Sequence, residues 1–397
     1  MTNDALWVNP NRMKNMENNF DRIRCYTDQE TVEALKRMIE YDEFYPIFKH
    51  VFPNLDKPSL KELFLSINGS FDFQKRIIDY AVKTVINFTM DEFSSAGIEN
   101  LQKEVAYLFV ANHRDIVLDA ALLQHVMVSN DRNTTQITFG SNLMTTPFIV
   151  DFGKSNKMFT VFRDSDMREQ LRNSLELSEY MRQVITSKNE SIWIAQRSGR
   201  TKDGIDTTQH GLLRMFAMSG KGSTKDRLKE LNIVPLSISY EFEPCDYLKV
   251  YETCRSKNGK YIKKESEDYN SIELGLGGYK GRTKLVIGKS LSPFIDSLPD
   301  SMDKKDLLQA IASEVDRQIY ANYQLWSTNY IAYDLLNGCE KYSSEYTADE
   351  KEKFMTHMNS GGSKVDLDEK EFETAFLNLY ANPIHSSFNK MTTTYAS

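Results

Sequence analysis

Short apolar runs alternate with helix-forming segments between about residues 104 and 240, and this alternation limits the possible folds more than any other feature. The run at 105–110 is rich in strand-forming residues, and the helix-forming segment at 119–127 follows it after a polar turn. The same pattern predicts further strands and helices at 135–139, 157–162, 167–185, 191–195, 211–218 and 233–240. Because strands that alternate with helices need crossover connections, we predict an α/β fold with a parallel or mixed sheet flanked by helices.

Both ends of the chain show helical periodicity instead. Apolar positions recur at three- and four-residue steps within 32–39, 77–85 and 303–336. Prolines at 46, 53 and 58 divide the region up to about residue 95 into short helices. The apolar residues at 44–52 either pack on the α/β domain, which we favour, or enter a membrane interface.

These patterns divide the chain into three parts. We predict a strand-free N-terminal helical domain at 1–95, an α/β domain at 96–300 and a helical C-terminal extension at 301–397. Within the extension, the Ser-Gly-Gly-Ser sequence at 360–363 predicts a flexible linker, and the Gly-rich run at 275–278 predicts a turn.

Composition excludes several classes of protein. The chain has 397 residues and a formal net charge of −7, which argues against a nucleic-acid partner. No apolar stretch reaches the roughly 18–20 residues of a membrane-spanning helix, and the first residues lack the pattern of a secretory signal. The 4 cysteines are scattered, so they match neither a zinc ribbon nor a redox pair. We expect a cytoplasmic protein with reduced thiols.

A polar loop after the first predicted strand carries candidate catalytic residues. His113 follows the strand directly, and Asp115 and Asp119 come before the next helix. A carboxylate can orient an imidazole and stabilise its charge, so that the histidine acts as a general base on a hydroxyl. The alternative is a solvated histidine in an exposed loop. The position favours the first interpretation, because ligands of open α/β sheets bind beyond the carboxyl ends of the strands.

A second polar loop, after the predicted strand at 191–195, suits an anion such as phosphate. It places a glycine among a serine and three cations: Arg197, Ser198, Gly199, Arg200 and Lys202. Guanidinium groups offer planar pairs of donors, and a glycine lets backbone N–H groups approach the ligand. Arg163, at the end of the strand at 157–162, could join the same pocket. A solvated basic loop is the alternative.

Taken in chain order, these segments resemble the phospholipid/glycerol acyltransferase family, whose members make lysophosphatidate and phosphatidate. His113 and Asp119 are similar to the first block of that family, His-x4-Asp. Five residues separate them here instead of four, so Asp115 is a second candidate for the orienting carboxylate, although we favour Asp119 because it leads into an apolar helix.

Three more segments complete the resemblance, which covers about residues 95–290. Residues 140–163 are similar to the second block, whose arginine, Arg163 here, contacts the phosphate of the acceptor. Residues 196–204 resemble the third block, Phe-Pro-Glu-Gly-Thr-Arg, with Arg197 in place of proline and Ser198 in place of glutamate. The Val-Pro strand at 233–238 matches the fourth block, near the acyl donor.

The resemblance implies a glycerolipid-acyltransferase-like fold and direct acyl transfer without a covalent acyl-enzyme. His113 would deprotonate the acceptor hydroxyl as it attacks the thioester of acyl-CoA or acyl carrier protein, with no metal and no cofactor beyond this co-substrate. The acceptor would be glycerol 3-phosphate or 1-acyl-glycerol 3-phosphate. Such substrates are amphiphilic, so we expect a peripheral contact with the inner face of the membrane.

Two alternatives stay open at this point. The Ser198 substitution would suit an acyltransferase that acts on the hydroxyl of an amino-acid lipid. A protein that binds lipids or a carrier without catalysis could also have this fold.

Overall fold

The computed structural model describes residues 20–162, 166–257, 259, 261–262 and 266–391, with the backbone alone for 386–391. One seven-stranded sheet forms its centre, in the order β1-β7-β6-β2-β5-β3-β4. Its strands are β1 Met90–Ala96, β2 Leu108–Ala111, β3 Gln136–Gly140, β4 Met158–Val161, β5 Ile192–Ala195, β6 Ile233–Tyr240 and β7 Gly281–Ile287. Only the β6–β7 pairing is antiparallel. The predicted mixed α/β sheet is therefore confirmed.

Helices surround this sheet. Those before β1 are α1 Asp28–Met38, α2 Phe44–Val51, α3 Lys57–Leu65, α4 Ser70–Phe73 and α5 Asp79–Thr89, the last two joined by a π-helical segment at Gln74–Ile78. Those between β2 and β7 are α6 Leu118–Ser129, α7 Pro147–Ser155, α8 Met167–Thr186, α9 His210–Phe216, α10 Thr224–Lys229, α11 Asp246–Ser256 and α12 Ser266–Gly277. Those after β7 are α13 Ser292–Ser297, α14 Lys304–Asn322, α15 Ser327–Asn337, α16 Ala348–Gly362 and α17 Glu369–Met391. Within the described ranges, no helix is long and apolar enough to cross a bilayer.

Strand β1 shows that the region up to residue 95 is not free of strands. It pairs in parallel with β7 at the edge of the sheet. Of its seven residues only Met90 is buried, and the sequence Met-Asp-Glu-Phe-Ser-Ser-Ala has no apolar run. Hydrogen bonding to β7 holds this strand in place, and a pattern of side-chain burial could not predict it.

Two glycine-rich segments are helical, contrary to expectation. Residues 275–277 end helix α12, and a Cβ built on Gly275 would lie 2.2 Å from Asp115 Oδ2. Most of the predicted linker at 360–363 is the last turn of α16, where a Cβ on Gly361 would lie 3.2 Å from the Cβ of Tyr247. At both positions glycine allows close packing of a helix, whereas the sequence suggested a turn at 275–278 and a flexible linker at 360–363.

The two faces of the sheet are covered by different parts of the chain. Alternate residues of β2 point in opposite directions, so that Phe109 packs with the N-terminal helices and Leu108 with α8 and α14. On the first of these faces, Phe44 and Phe48 of α2 are buried, and the ring centroids of Phe48 and Phe152 lie 6.3 Å apart. The apolar face of α2 therefore packs inward, as favoured above.

The C-terminal helices hold the loop that follows β5. The backbone N–H of Asp206 donates to the Tyr320 hydroxyl at 2.7 Å, and Asn382 Nδ2 donates to the Asp203 carbonyl at 2.7 Å. Helix α17 comes so close that a Cβ on Gly204 would lie 2.1 Å from the carbonyl oxygen of Leu379. The extension therefore forms part of the support of this loop.

We expect Gly204→Ala to destabilise the protein more than Gly199→Ala. Both glycines have a left-handed φ, +79° and +76°, but only Gly204 has neighbours within 4 Å of a built Cβ. Gly199→Ala should lower the free energy of unfolding by about 1–2 kcal/mol through backbone strain. Gly204→Ala should cost a further ~1–3 kcal/mol through overpacking. Denaturant unfolding of the two variants measures the difference, and equal losses would show that α17 does not confine the loop.

Candidate active site

His113 lies at the carboxyl end of β2 and is hydrogen-bonded to Asp119. The distance from His113 Nδ1 to Asp119 Oδ2 is 2.9 Å, and 14% of the histidine side chain is exposed whereas Asp119 is buried. The edge of the imidazole packs against Trp193 of β5, with ring centroids 5.6 Å apart. The ring is thus fixed on two sides and still accessible from outside.

The other bonds of Asp119 determine which nitrogen of His113 carries the proton. The Asp119 Oδ2 atom accepts the backbone N–H groups of Arg114 at 2.6 Å and Asp115 at 2.9 Å. Its Oδ1 atom accepts the Tyr240 hydroxyl at 2.9 Å, and burial raises the pKa of Tyr240 well above its ordinary value, so that the hydroxyl stays a donor. Because the carboxylate acts as an acceptor throughout, His113 Nδ1 donates to it, and Nε2 keeps its lone pair.

Asp115, the second candidate for the orienting role, has a different set of contacts. Its Oδ1 atom accepts the backbone N–H groups of Val117 at 2.9 Å and Leu118 at 2.8 Å, at the start of α6. Burial, and after it the negative charge of Asp119, raises the pKa of Asp115. Helix α12 covers the carboxyl group on the side of Oδ2. The structure therefore brings Asp119 to His113 and makes Asp115 a cap of the helix.

The loop after β5 brings Arg200 to the same place. Its backbone is tied to the first loop, since Thr201 N donates to the His113 carbonyl at 2.9 Å. Arg200 is buried, and its charge acts on Asp115 and Cys245 against the effect of burial on their pKa values. Its Nη1 atom is buried without a hydrogen-bond partner among the residues that the structure describes. A guanidinium in this state can bind an anion that enters the site.

The other residues predicted for this loop each have their own hydrogen-bond or ion-pair partners. Arg197 Nη1 donates to the Ile205 carbonyl at 3.5 Å, and the exposed Ser198 donates its backbone N–H to Gln209 at 2.9 Å. Lys202 forms an ion pair with Glu252 of α11. Arg163 lies outside the described residues.

A buried group of charges supports the first loop from below, and sequence analysis missed it. The guanidinium of Arg114 pairs with Asp206, and with Glu243 at 3.2 Å. Lys249 Nζ donates to the Arg114 carbonyl at 2.6 Å and pairs with Glu243 at 2.6 Å. All four side chains are nearly inaccessible to solvent. The signal in the sequence was the pair of glutamates directly after the apolar strand β6, at 241 and 243, but Arg114, which pairs with Glu243, is 129 positions away.

Cys245 and Lys280 lie near Asp115. Burial raises the pKa of the Cys245 thiol to about 11, and the thiol donates to the Ser271 carbonyl at 3.1 Å. Burial also lowers the pKa of Lys280 to about 8, with the charge of Asp115 opposing this effect. A thiol that stays protonated is a poor nucleophile. In the described part of the chain, no three His, Cys, Asp or Glu side chains form a group that could hold a metal ion.

Comparison with known protein families identifies the central part of the chain. Residues 92–239, from β1 to β6, match the family model described as Acyltransferase. These residues form an acyltransferase domain of that family. The matched residues contain all four blocks on which the predicted resemblance was based, so that resemblance is confirmed and the chain is an acyltransferase enzyme.

Among solved structures, this acyltransferase is similar to the 1-acyl-sn-glycerophosphate (LPA) acyltransferase PlsC from Thermotoga maritima. The sequence identity is 13% and the TM-score is 0.35, over 70% of this chain and 93% of that chain. The comparison with curated protein sequences gives no significant match.

We expect substitutions of Asp119 and Asp115, the two carboxylates of the loop after β2, to affect acyl transfer differently. Asp119→Asn should lower kcat by about 10³–10⁴-fold, because an amide cannot accept from His113 Nδ1 and from three other donors at once. Asp115→Asn should lower kcat less than about tenfold, because the amide oxygen can still cap α6. Steady-state kinetics of both variants, with thermal unfolding as a check of folding, measures the contrast. A larger loss for Asp115→Asn would assign the orienting role to Asp115.

Proposed function

We propose that this acyltransferase moves a fatty acyl group from acyl-CoA or acyl carrier protein to the hydroxyl of glycerol 3-phosphate or 1-acyl-glycerol 3-phosphate. The observation that carries the proposal is the hydrogen-bonded pair of His113 and Asp119 at the carboxyl end of β2, with Arg200 buried beside it. The pair supplies a base for a hydroxyl, and Arg200 supplies a donor for a phosphate.

In this proposal, His113 Nε2 accepts the proton of the acceptor hydroxyl. The hydroxyl oxygen attacks the thioester carbonyl, the carbon–sulfur bond breaks, and the proton passes from His113 to the departing thiolate. Asp119 stabilises the imidazolium during the step, and Tyr240 keeps the carboxylate in position. General base catalysis of this kind contributes about 10²–10⁴-fold to the rate.

Direct transfer fits the side chains around the histidine. The thiol of Cys245, near Asp115, bonds to a backbone carbonyl, and its raised pKa disfavours the thiolate that a covalent intermediate would need. The reaction as written needs no redox change and no cofactor besides the acyl donor.

The acceptor is proposed to carry a phosphate because of Arg200. Burial of a guanidinium nitrogen without a partner is costly, and a phosphate oxygen would satisfy it. Arg197 lies in the same loop, and Arg163 is a further candidate from the predicted second block. Lys202 is a weaker candidate, since Glu252 already pairs with it. Because a lysophospholipid acceptor is amphiphilic, we propose that the enzyme works at the inner face of the membrane as a peripheral protein.

The base is tested by release of thiol from palmitoyl-CoA with lysophosphatidate as the acceptor. His113→Ala should reduce the acceptor-dependent rate by about 10²–10⁴-fold. His125→Ala is the matched control, because His125 also pairs with an aspartate, Asp79, at 2.7 Å, but on helix α6. This control should keep the natural rate. Equal rates for His113→Ala and the natural protein would contradict the proposed mechanism.

The acceptor is tested with Arg200→Ala in the same assay. Loss of a hydrogen bond to a charged group predicts a KM for lysophosphatidate that is raised by about 10-fold to 100-fold. The KM for monoacylglycerol, which has no phosphate, should stay unchanged and serves as the control. An unchanged KM for lysophosphatidate would exclude a phosphate contact at Arg200. Transfer to an amino-acid lipid without transfer to either phosphorylated acceptor would replace the proposed substrate class.

A further inference from the structure

The first half of helix α8 projects from the body of the protein. Residues 166–172 are all exposed, and Asn173 is the first buried residue of the helix. Farther along, Leu177 and Tyr180 are buried in the core on one face of the sheet. Arg22 Nη2 donates to Asn173 at 3.0 Å and to Glu176 at 2.6 Å, where the helix leaves the body. The projecting part is thus a helical arm with a firmly anchored base.

Three large apolar side chains form one line along this arm and its base. Met167, Leu171 and Leu175 follow each other at four-residue steps, so they lie on one face of the helix. They are 87%, 64% and 39% exposed, respectively. Single exposed apolar residues are normal on a protein surface, but a continuous line of them marks an interaction surface. We call these three residues the α8 stripe.

Basic side chains border the α8 stripe on one side. Arg168 and Arg172 each follow a stripe residue, so they lie about 100° farther around the helix, and both are exposed. Glu169 lies about 100° beyond Arg168, on the side away from the stripe. An apolar line with arginines at its border is typical of helices that lie in a lipid interface, where the arginines reach the phosphates of the headgroups.

The helix that carries the α8 stripe follows a strand that ends at the sheet edge of His113. Helix α8 follows β4, and β4 is parallel to β2, with β3 and β5 between them. Their carboxyl ends therefore lie at the same edge, separated by three strand spacings, or about 14 Å. The strand that leads to α8 therefore ends at the same edge of the sheet as the strand that carries the base.

We infer that the α8 stripe is the surface by which this enzyme docks on a lipid bilayer with anionic headgroups. The inference rests on the proposed function, because delivery of an amphiphilic acceptor is the reason for this enzyme to bind a bilayer. Three apolar side chains on one narrow arm are far fewer than the roughly 20–30 residues on each side of a stable protein interface. They are suited to shallow insertion among acyl chains, and the two arginines complement the anionic headgroups.

Vesicle flotation tests the inference with the full-length protein. The natural chain should bind vesicles of phosphatidylcholine and phosphatidylglycerol, and the double variant Met167→Glu with Leu171→Glu should bind them at least about tenfold more weakly. Phe88→Glu is the matched control, since Phe88 is 84% exposed on helix α5 and should not change binding. Arg168→Glu with Arg172→Glu should weaken binding to these vesicles but not to vesicles of phosphatidylcholine alone.

Binding that is unaffected by the Met167 and Leu171 substitutions would overturn the inference. A dimer of the natural chain that these substitutions dissociate, with vesicle binding intact, would also overturn it, because a second copy would then cover the stripe. Acyl transfer to a short-chain, water-soluble acceptor separates this test from the proposed function. The stripe variants should keep that transfer. If the natural chain shows no transfer but binds vesicles through the stripe, the proposed function fails and the docking surface stands.

Discussion

The carboxylate of Asp119 is the interaction on which the site depends. Four donors meet at it: the imidazole of His113, two backbone N–H groups of the first loop and the hydroxyl of Tyr240. The loop, helix α6 and strand β6 are therefore joined at one buried charge. A carboxylate that is removed from water needs this many hydrogen bonds, so the loop has little freedom to adopt another conformation.

Below this point lies the group of buried ions around Arg114. Its two acids come from different places, Asp206 from the loop after β5 and Glu243 from the residues after β6. Breaking one pair in such a group would leave a buried charge unpaired, which costs several kcal/mol. The ions therefore fix the first loop, which follows β2, relative to the loop after β5 that carries Arg200 (the Arg200 loop). Helices α14 and α17 hold the Arg200 loop from its other side, through Tyr320 and Asn382.

The sequence predicted those elements that a local pattern determines. The buried strands β2, β5 and β6 have continuous apolar runs, and the four blocks placed His113 and Arg200 in the loops that follow β2 and β5. The edge strand β1 was missed because pairing with β7, and not burial, holds it in the sheet. Helix α12 was missed because one of its glycines, Gly275, serves close packing on Asp115.

Local sequence patterns also could not predict contacts between residues that are far apart along the chain. Spacing alone left Asp115 and Asp119 open, and it could not show that Asp119 is also held by a hydroxyl 121 positions away, that of Tyr240. The contribution of Lys202 to a basic pocket was likewise expected from charge alone. Its partner, Glu252, comes from a helix 50 positions farther along.

The contact between α17 and the Arg200 loop also affects the order in which parts of the site can fold during synthesis. Asp203 and Asn382 are 179 positions apart, and all four blocks leave the ribosome before the helix that carries Asn382. A nascent chain can assemble the sheet and its histidine early, but the loop reaches its final backbone only when α17 docks. A chain broken off before this helix would keep every block, but its loop after β5 would lack the contacts of Asn382 and Leu379.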